Sequence, residues 1–404
     1  MKIGKTVKKS CLFIIMGMGC ALFSRELDTK SFFAEKTGKS VLLGNSHFTV
    51  EIFPEAGGGC GRITVSGQDY FAPDMKMNCL LSEVFSSEAM DKKQINESKP
   101  FQYSVSKDPS EETFSLKMWR KIEKDKLEQD FAGTGFEKTV TICQDKPYFS
   151  LTSTVDNSSG KALYLSFGFK NHLRMNKMGK DLYFLPTANN IQCVSKTLVN
   201  GYYGKSSAWE YEPAEGWMAV LDPDTKNALV FIMEDKYLEA FYTAPTGDSF
   251  GWFLNGDELA PQKQFKSECR VVPVSGFDGF VHASSRIIAD IQVREDKDDI
   301  AVKHAIFGLE KFSSVLLRTE VYGIRSKKTQ SLPEVKFENA GCKISSQTLT
   351  LSGRQTEPLV VRVTANLDGV TEQYETYFEG RFPASIYPGY PLSSEYKRKK
   401  TDTK

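Results

Sequence analysis

Along most of the chain, apolar and polar residues alternate with the two-residue period of half-buried strands. "HFTVEIFP" sets Phe48, Val50 and Ile52 against Thr49, Glu51 and Phe53. "FEKTVTI", "YFSLTSTV", "ALYLSFGF", "GWMAVLD", "FKSECRVVPV" and "RIIADIQV" read the same way. "NALVFIM" is apolar on both parities, which predicts a central strand. Turn signals separate these runs: "PEAGGG", "VDNSSG", "DPDTKN", "APTGDS" and "LNGDE". Strands spaced in this way predict an all-β fold, a large antiparallel sandwich or barrel rather than βαβ units.

The pattern changes at "DDIAVKHAIFGLEKF", residues 298–312. Ile300, Ala301, His304, Ala305 and Leu309 fall on one helical face, and Asp298 and Asp299 stand where negative charge suits a helix amino end. The spacing predicts a helical linker over 296–312. Strands return in "SVLLRTEVYGI", "EVKFENAG", "TLTLSG", "LVVRVTANLDG" and "EQYETYFEG", enough for a small β-sandwich of immunoglobulin-like size over 313–382. Residues 383–404, proline-containing and ending in a short basic run, read as a solvated tail.

The amino terminus reads as a targeting segment. "MKIGKTVKKS" holds four lysines and precedes the apolar run "CLFIIMGMGCALF", too short to span a bilayer comfortably. Residues 1–24 are therefore expected to be a signal peptide. The mature chain would be extracytoplasmic, starting around Arg25, with lipid attachment at Cys20 as the alternative and sole membrane contact. Composition adds little: 404 residues, 25% charged and a formal net charge of +1 supply no electrostatic argument for a nucleic-acid partner. The 28 Phe, 16 Tyr and 4 Trp suit both β-rich cores and sugar-stacking surfaces. Six cysteines follow the signal (Cys60, Cys79, Cys143, Cys193, Cys269 and Cys342), without a CxxC pair; one or two disulfides or buried thiols both remain open. Four scattered histidines argue against a transition-metal site, and no cofactor motif is present.

Four stretches give residues 30–295 a resemblance to the galactose mutarotase-like β-supersandwich, the sugar-binding fold of aldose epimerases. "FTVEIFPEAGGGCGRITVSGQDYF" is similar to the family's opening. "FEKTVTICQDKPYFSLTSTVDNSSGKALYLSFGFKNHL" resembles its central strand pair, and "GWMAVLDPDTKNALVFIMED" its late hairpin. "DELAPQKQFKSECRVVPVSGF" resembles the closing corner and long strand. The resemblance implies a sugar site on one sheet face. Fold alone licenses no reaction.

On that reading, Leu163, Leu165, Phe167 and Phe169 face the core, while Tyr164, Ser166, Gly168, Lys170 and His172 share the opposite face. An epimerase needs a general acid for the ring oxygen and a general base for the anomeric hydroxyl. His172 suits the acid by its ordinary pKa. The resemblance puts a glutamate base on a late strand, but Gly251 stands there, while Asp248, Asp257 and Glu258 fall in turn-like segments. The pair is incomplete. Asn171 and Arg174 beside His172 are expected in the sugar site, as are Arg62 through bidentate hydrogen bonds, the platforms Trp209 and Trp252, and Glu210. Trp119 and Trp217 are expected in the core. The sequence thus points to an exported carbohydrate-binding protein, with an aldose 1-epimerase or related enzyme using His172, or a periplasmic scaffold protein, as alternatives.

Overall fold

The computed structural model describes residues 32–72, 79–86, 99–122, 131–187, 190–195, 209–244, 248–353 and 356–379. The expected signal peptide, Cys20 and the basic tail lie outside the described residues. Two large antiparallel sheets face each other. The first runs, in spatial order, β1 (Phe33–Thr37), β2 (Ser40–Gly44), β3 (Thr49–Phe53), β4 (Gly59–Val65), β6 (Cys79–Ser86), β11 (Leu163–His172), β18 (Ser249–Leu259), β17 (Leu238–Ala244) and β14 (Trp209–Tyr211), with β5 (Gln68–Asp69) paired to β4. The second runs β13 (Ile191–Ser195), β12 (Leu182–Pro186), β15 (Trp217–Leu221), β16 (Asn227–Met233), β19 (Gln264–Ser275), β10 (Phe149–Asp156), β9 (Gly135–Cys143), β8 (Thr113–Lys121) and β7 (Gln102–Asp108). This is a β-supersandwich.

Alternation builds the space between the sheets. On β9 the pattern "GFEKTVTIC" turns Phe136, Lys138, Val140 and Ile142 inward. They meet Phe167, Phe169, Phe250 and Trp252 from the first sheet. The inward lysine is a polar stitch: Lys138 Nζ donates to the Leu81 carbonyl at 2.6 Å. Leu81, at φ 63° on β6, also presents its N–H to Asn171 Oδ1 at 2.6 Å. A buried backbone group needs such partners.

"LNGDE", read as a turn, is instead part of β18. Its extra residues are absorbed as a bulge opposite β11, where the register shifts between Tyr164 and Ser166. β16 is the central strand that its unbroken apolar run predicts. Leu229, Phe231 and Met233 enter the main core, while Ala228 and Val230 enter a second cluster on the other side.

That second cluster joins the supersandwich to a smaller two-sheet sandwich. Trp217, Val230 and Val274 pack there against Ile288, Ala305 and Phe307. One small sheet is β20 (His282–Ala283), β21 (Ile287–Asp296), β22 (Asp299–Gly308) and β26 (Ile344–Leu351). The other is β24 (Thr329–Ser331), β23 (Phe312–Gly323), β27 (Leu359–Leu367) and β28 (Val370–Phe378), with β25 (Val335–Ala340) on β23.

The expected helix over 298–312 is therefore a strand. β22 is buried on both faces: Ile300, Val302 and Ile306 enter the small sandwich's core, and Ala305 and Phe307 enter the junction. Such a strand shows no two-residue period, and its apolar positions mimic a helical stripe. Asp298 is not a helix start but part of the tight connection between β21 and β22, beside Lys297 at φ 56°. No linker separates the units, and the small sandwich takes its first strands from before residue 296. The five cysteines whose side chains are described (Cys60, Cys143, Cys193, Cys269 and Cys342) are free thiols, with Cys60 and Cys269 buried.

Candidate functional site

Over the described side chains from Phe167 to His172, β11 alternates as predicted. Phe167 and Phe169 are buried, their rings 5.1 Å apart and edge-on, and Phe169 lies 5.0 Å from Trp252. Lys170, His172 and Arg174, all half-buried, follow the other parity. The side chains of Tyr164, Leu165 and Ser166 lie outside the described residues.

Strand register extends this outward face across the sheet. Lys170 pairs with Gly251, and Gly251 with Tyr242 on β17. Gly168 pairs with Phe253, and His172 with Ser249. Tyr242 and Phe253 are half-buried, edge to face at 6.3 Å and 81°. Both glycines are required by close approach. A Cβ on Gly251 would land on the Phe169 carbonyl oxygen, and one on Gly168 would lie 2.6 Å from the Trp252 carbonyl oxygen and 2.7 Å from the Phe253 ring. The face therefore carries no side chain at the buried Gly168 and Gly251; the Phe253 ring packs over Gly168, Tyr242 stands beside it, and Lys170 and His172 lie on the same face of β11.

Burial holds the His172 imidazole below its usual pKa, and the nearby Lys170 ammonium lowers it further. The ring is neutral at pH 7, with one nitrogen to donate and one to accept. Among the described residues, no side chain hydrogen-bonds to it.

A base opposite His172 is missing among the described carboxylates. Asp248, expected in a turn-like segment, is buried and ion-paired: its Oδ2 accepts from Arg174 Nη2 at 2.7 Å and Nε at 3.1 Å. Glu258 pairs with Tyr164 at the far end of β11, roughly 27 Å from His172 at the usual rise per residue. Gly251 cannot carry a side chain at all. The side chain of Asp257 lies outside the described residues.

The loop after β11 is held by buried acids. Asp181 accepts from the Met175 and Asn176 N–H groups at 3.0 and 2.7 Å, and burial raises its carboxyl to about 7. Asn176 donates to Asp222 at 2.6 Å and to Asp224 at 2.9 Å. These contacts brace the loop that carries Arg174.

Several expected contacts are corrected by the structure. Asn171 points into the core, where it accepts from Leu81 N–H and donates to the Phe250 carbonyl at 3.4 Å. Trp252 is fully buried against Phe169 and Phe231, because β18 runs through the segment read as a turn. Arg62 forms its bidentate contact with Asp69, at 2.6 and 2.7 Å, rather than presenting a free fork to ligand. Arg174 is likewise engaged, by Asp248. Trp217 is core, as expected, but Trp119 is half-buried on the outer face of the second sheet. Trp209 and Glu210 pair in register with Thr243 and Tyr242; their side chains lie outside the described residues. Tyr242 and Phe253 were missed. Register was the only signal that could have found them, since each is defined by its partner strand.

No family model matches the sequence, and no curated protein matches it as a relative. Solved structures similar in fold include a TPR-domain-containing protein from Parabacteroides distasonis (10% identity, TM-score 0.42, covering 58% of this chain and 47% of that one). This chain thus spans about half of that protein. A galactose mutarotase-like protein from Clostridium acetobutylicum is 11% identical at TM-score 0.41, over 60% of this chain and 98% of that one. A putative aldose 1-epimerase from Klebsiella pneumoniae is 9% identical at TM-score 0.43, over 60% and 82%. The reactions named for these proteins are theirs; the supersandwich of this chain rests on its own strand pairings.

Proposed function

We propose that this is an exported carbohydrate-binding protein that holds a sugar on the outward face of β11, β18 and β17 without epimerising it. One observation carries the reading: the half-buried rings of Tyr242 and Phe253 stand beside the bare backbone of Gly168 and Gly251, on the face that presents Lys170 and His172. A pyranose has an apolar C–H face and a rim of hydroxyls. Aromatic rings suit the first, and a neutral imidazole with an ammonium suits the second. Among the described residues no carboxylate stands opposite His172, which alone supplies half of the acid–base pair that ring opening requires; this favours binding. Export is supported by the lysine-rich start and short apolar run at residues 1–24.

Calorimetric titration with galactose, glucose and mannose tests this. At least one should bind at micromolar to millimolar concentration, and Tyr242→Ala and His172→Ala should each weaken it about tenfold. No heat from any of the three at millimolar concentration would remove the sugar reading.

A further inference from the structure

A groove of about 320 Å³ crosses the outer face of the second sheet, on the opposite side of the supersandwich from His172. Its walls follow from alternation on β8. Phe114, Leu116 and Met118 turn inward, so Lys117, Trp119 and Lys121 turn outward. Because β8, β9, β10 and β19 pair in register, Trp119, Glu137, Thr154 and Lys266 form one row. Lys121, Gly135, Asp156 and Gln264 form the next.

The chemistry of these two rows is mixed in a particular way. Trp119 is tethered by its edge, with Nε1 donating to Gln102 Oε1 at 2.9 Å, which leaves the indole half-buried beside the groove. Gly135 puts bare backbone in the second row, between Lys121 and Asp156. Glu137 is ion-paired with Lys117 at 2.7 Å, and Asp156 accepts from the Ser158 hydroxyl at 2.9 Å. Within the lining itself, Arg120 and Lys121 balance Glu137 and Asp156, so the groove offers no net charge to an acidic or basic ligand. What remains is an aromatic surface flanked by carboxylate and amide groups able to meet hydroxyls. The volume is at the small end of ligand sites, roughly 300–1,000 Å³, and an open sheet face admits a chain as readily as a single ring.

We infer that this groove is a second carbohydrate site, independent of the β11 face, which takes a neutral oligosaccharide with Trp119 as the stacking platform and Asp156 and Gln264 as hydroxyl partners. Of the three tryptophans whose side chains are described, Trp217 and Trp252 are sealed in cores and Trp119 is the one that reaches the surface.

The test is calorimetric titration of the full chain with cellohexaose, mannohexaose, xylohexaose and maltohexaose. At least one should bind; Trp119→Ala should weaken it about tenfold or more, and Gln264→Ala several-fold. Trp119→Phe keeps a ring and should stay within about threefold of wild type. The titrations are run on the His172→Ala background, which weakens the β11 face, and the groove binding should persist there. Should Trp119→Ala fail to fold, Gln264→Ala and Asp156→Asn carry the same test. Failure of all four hexasaccharides to bind would overturn the inference, as would binding that survives the groove substitutions. Binding lost in His172→Ala but kept in Trp119→Ala would also overturn it, while leaving the β11 face as a sugar site.

Discussion

His282 Nε2 lies 2.8 Å from Glu372 Oε2, joining β20 to β28 within the small sandwich. On the other side of the ring, Nδ1 lies 3.3 Å from Glu215, which belongs to the supersandwich and also accepts from Trp217 Nε1 at 2.9 Å. Tyr374 stacks on the imidazole at 5.3 Å, and Ser284 donates to the second Glu372 oxygen at 3.0 Å. The junction between the two units is thus a buried cation held between two carboxylates as well as an apolar seam.

That arrangement fixes a pH dependence. Burial alone would lower the His282 pKa, but the two glutamates outweigh it and raise it to about 9. The unfolded chain loses the same proton near 6.5. The contribution is therefore complete below pH 6.5 and is lost as pH rises through 9, on the order of 3 kcal/mol in all. Denaturant unfolding of wild type and His282→Gln across pH 6–10 should show the cost of the substitution shrinking over that window. A pH-independent difference would contradict the charged bridge.

Asn171 distinguishes core from ligand contact. Asn171→Ala strands the Leu81 N–H in the interior, at about 2–3 kcal/mol, and should leave sugar affinity per folded molecule unchanged. Thermal melting alongside calorimetry checks both halves. Normal stability with lost affinity would restore Asn171 to the ligand face.

Gly251 carries a steric prediction. Because a Cβ there meets the Phe169 backbone carbonyl, Gly251→Ala should destabilise by roughly 3 kcal/mol. Gly251→Glu should fail to fold rather than gain epimerase activity. A soluble Gly251→Glu variant with wild-type melting would mean that β11 and β18 are spaced otherwise.

The β11 face was legible in sequence because the inward residues Leu163, Phe167 and Phe169 are large and apolar, and parity then places Lys170 and His172. β22 was illegible for the opposite reason. Both of its faces are covered, so Ile300, Ala301 and Ala305 carry no alternation to separate strand from helix. The tryptophans show the same limit. "SFGWFLNG" resembles a turn, yet the strand continues through a bulge and buries Trp252, whereas "KMWRK" puts Trp119 outside because Met118 is the inward residue. Partners on a neighbouring strand, such as Asp69 for Arg62 or Phe253 beside Tyr242, follow from register, which alternation within one strand does not encode.

Proton NMR of the four imidazoles during a galactose titration, with anomer exchange followed in the same sample, separates binding without ring opening from epimerisation. For binding without ring opening, the His172 resonance shifts on saturation while those of His282 and His304 stay in place, and anomer interconversion proceeds at its buffer rate. Exchange accelerated by the wild-type protein and abolished in His172→Ala would contradict it.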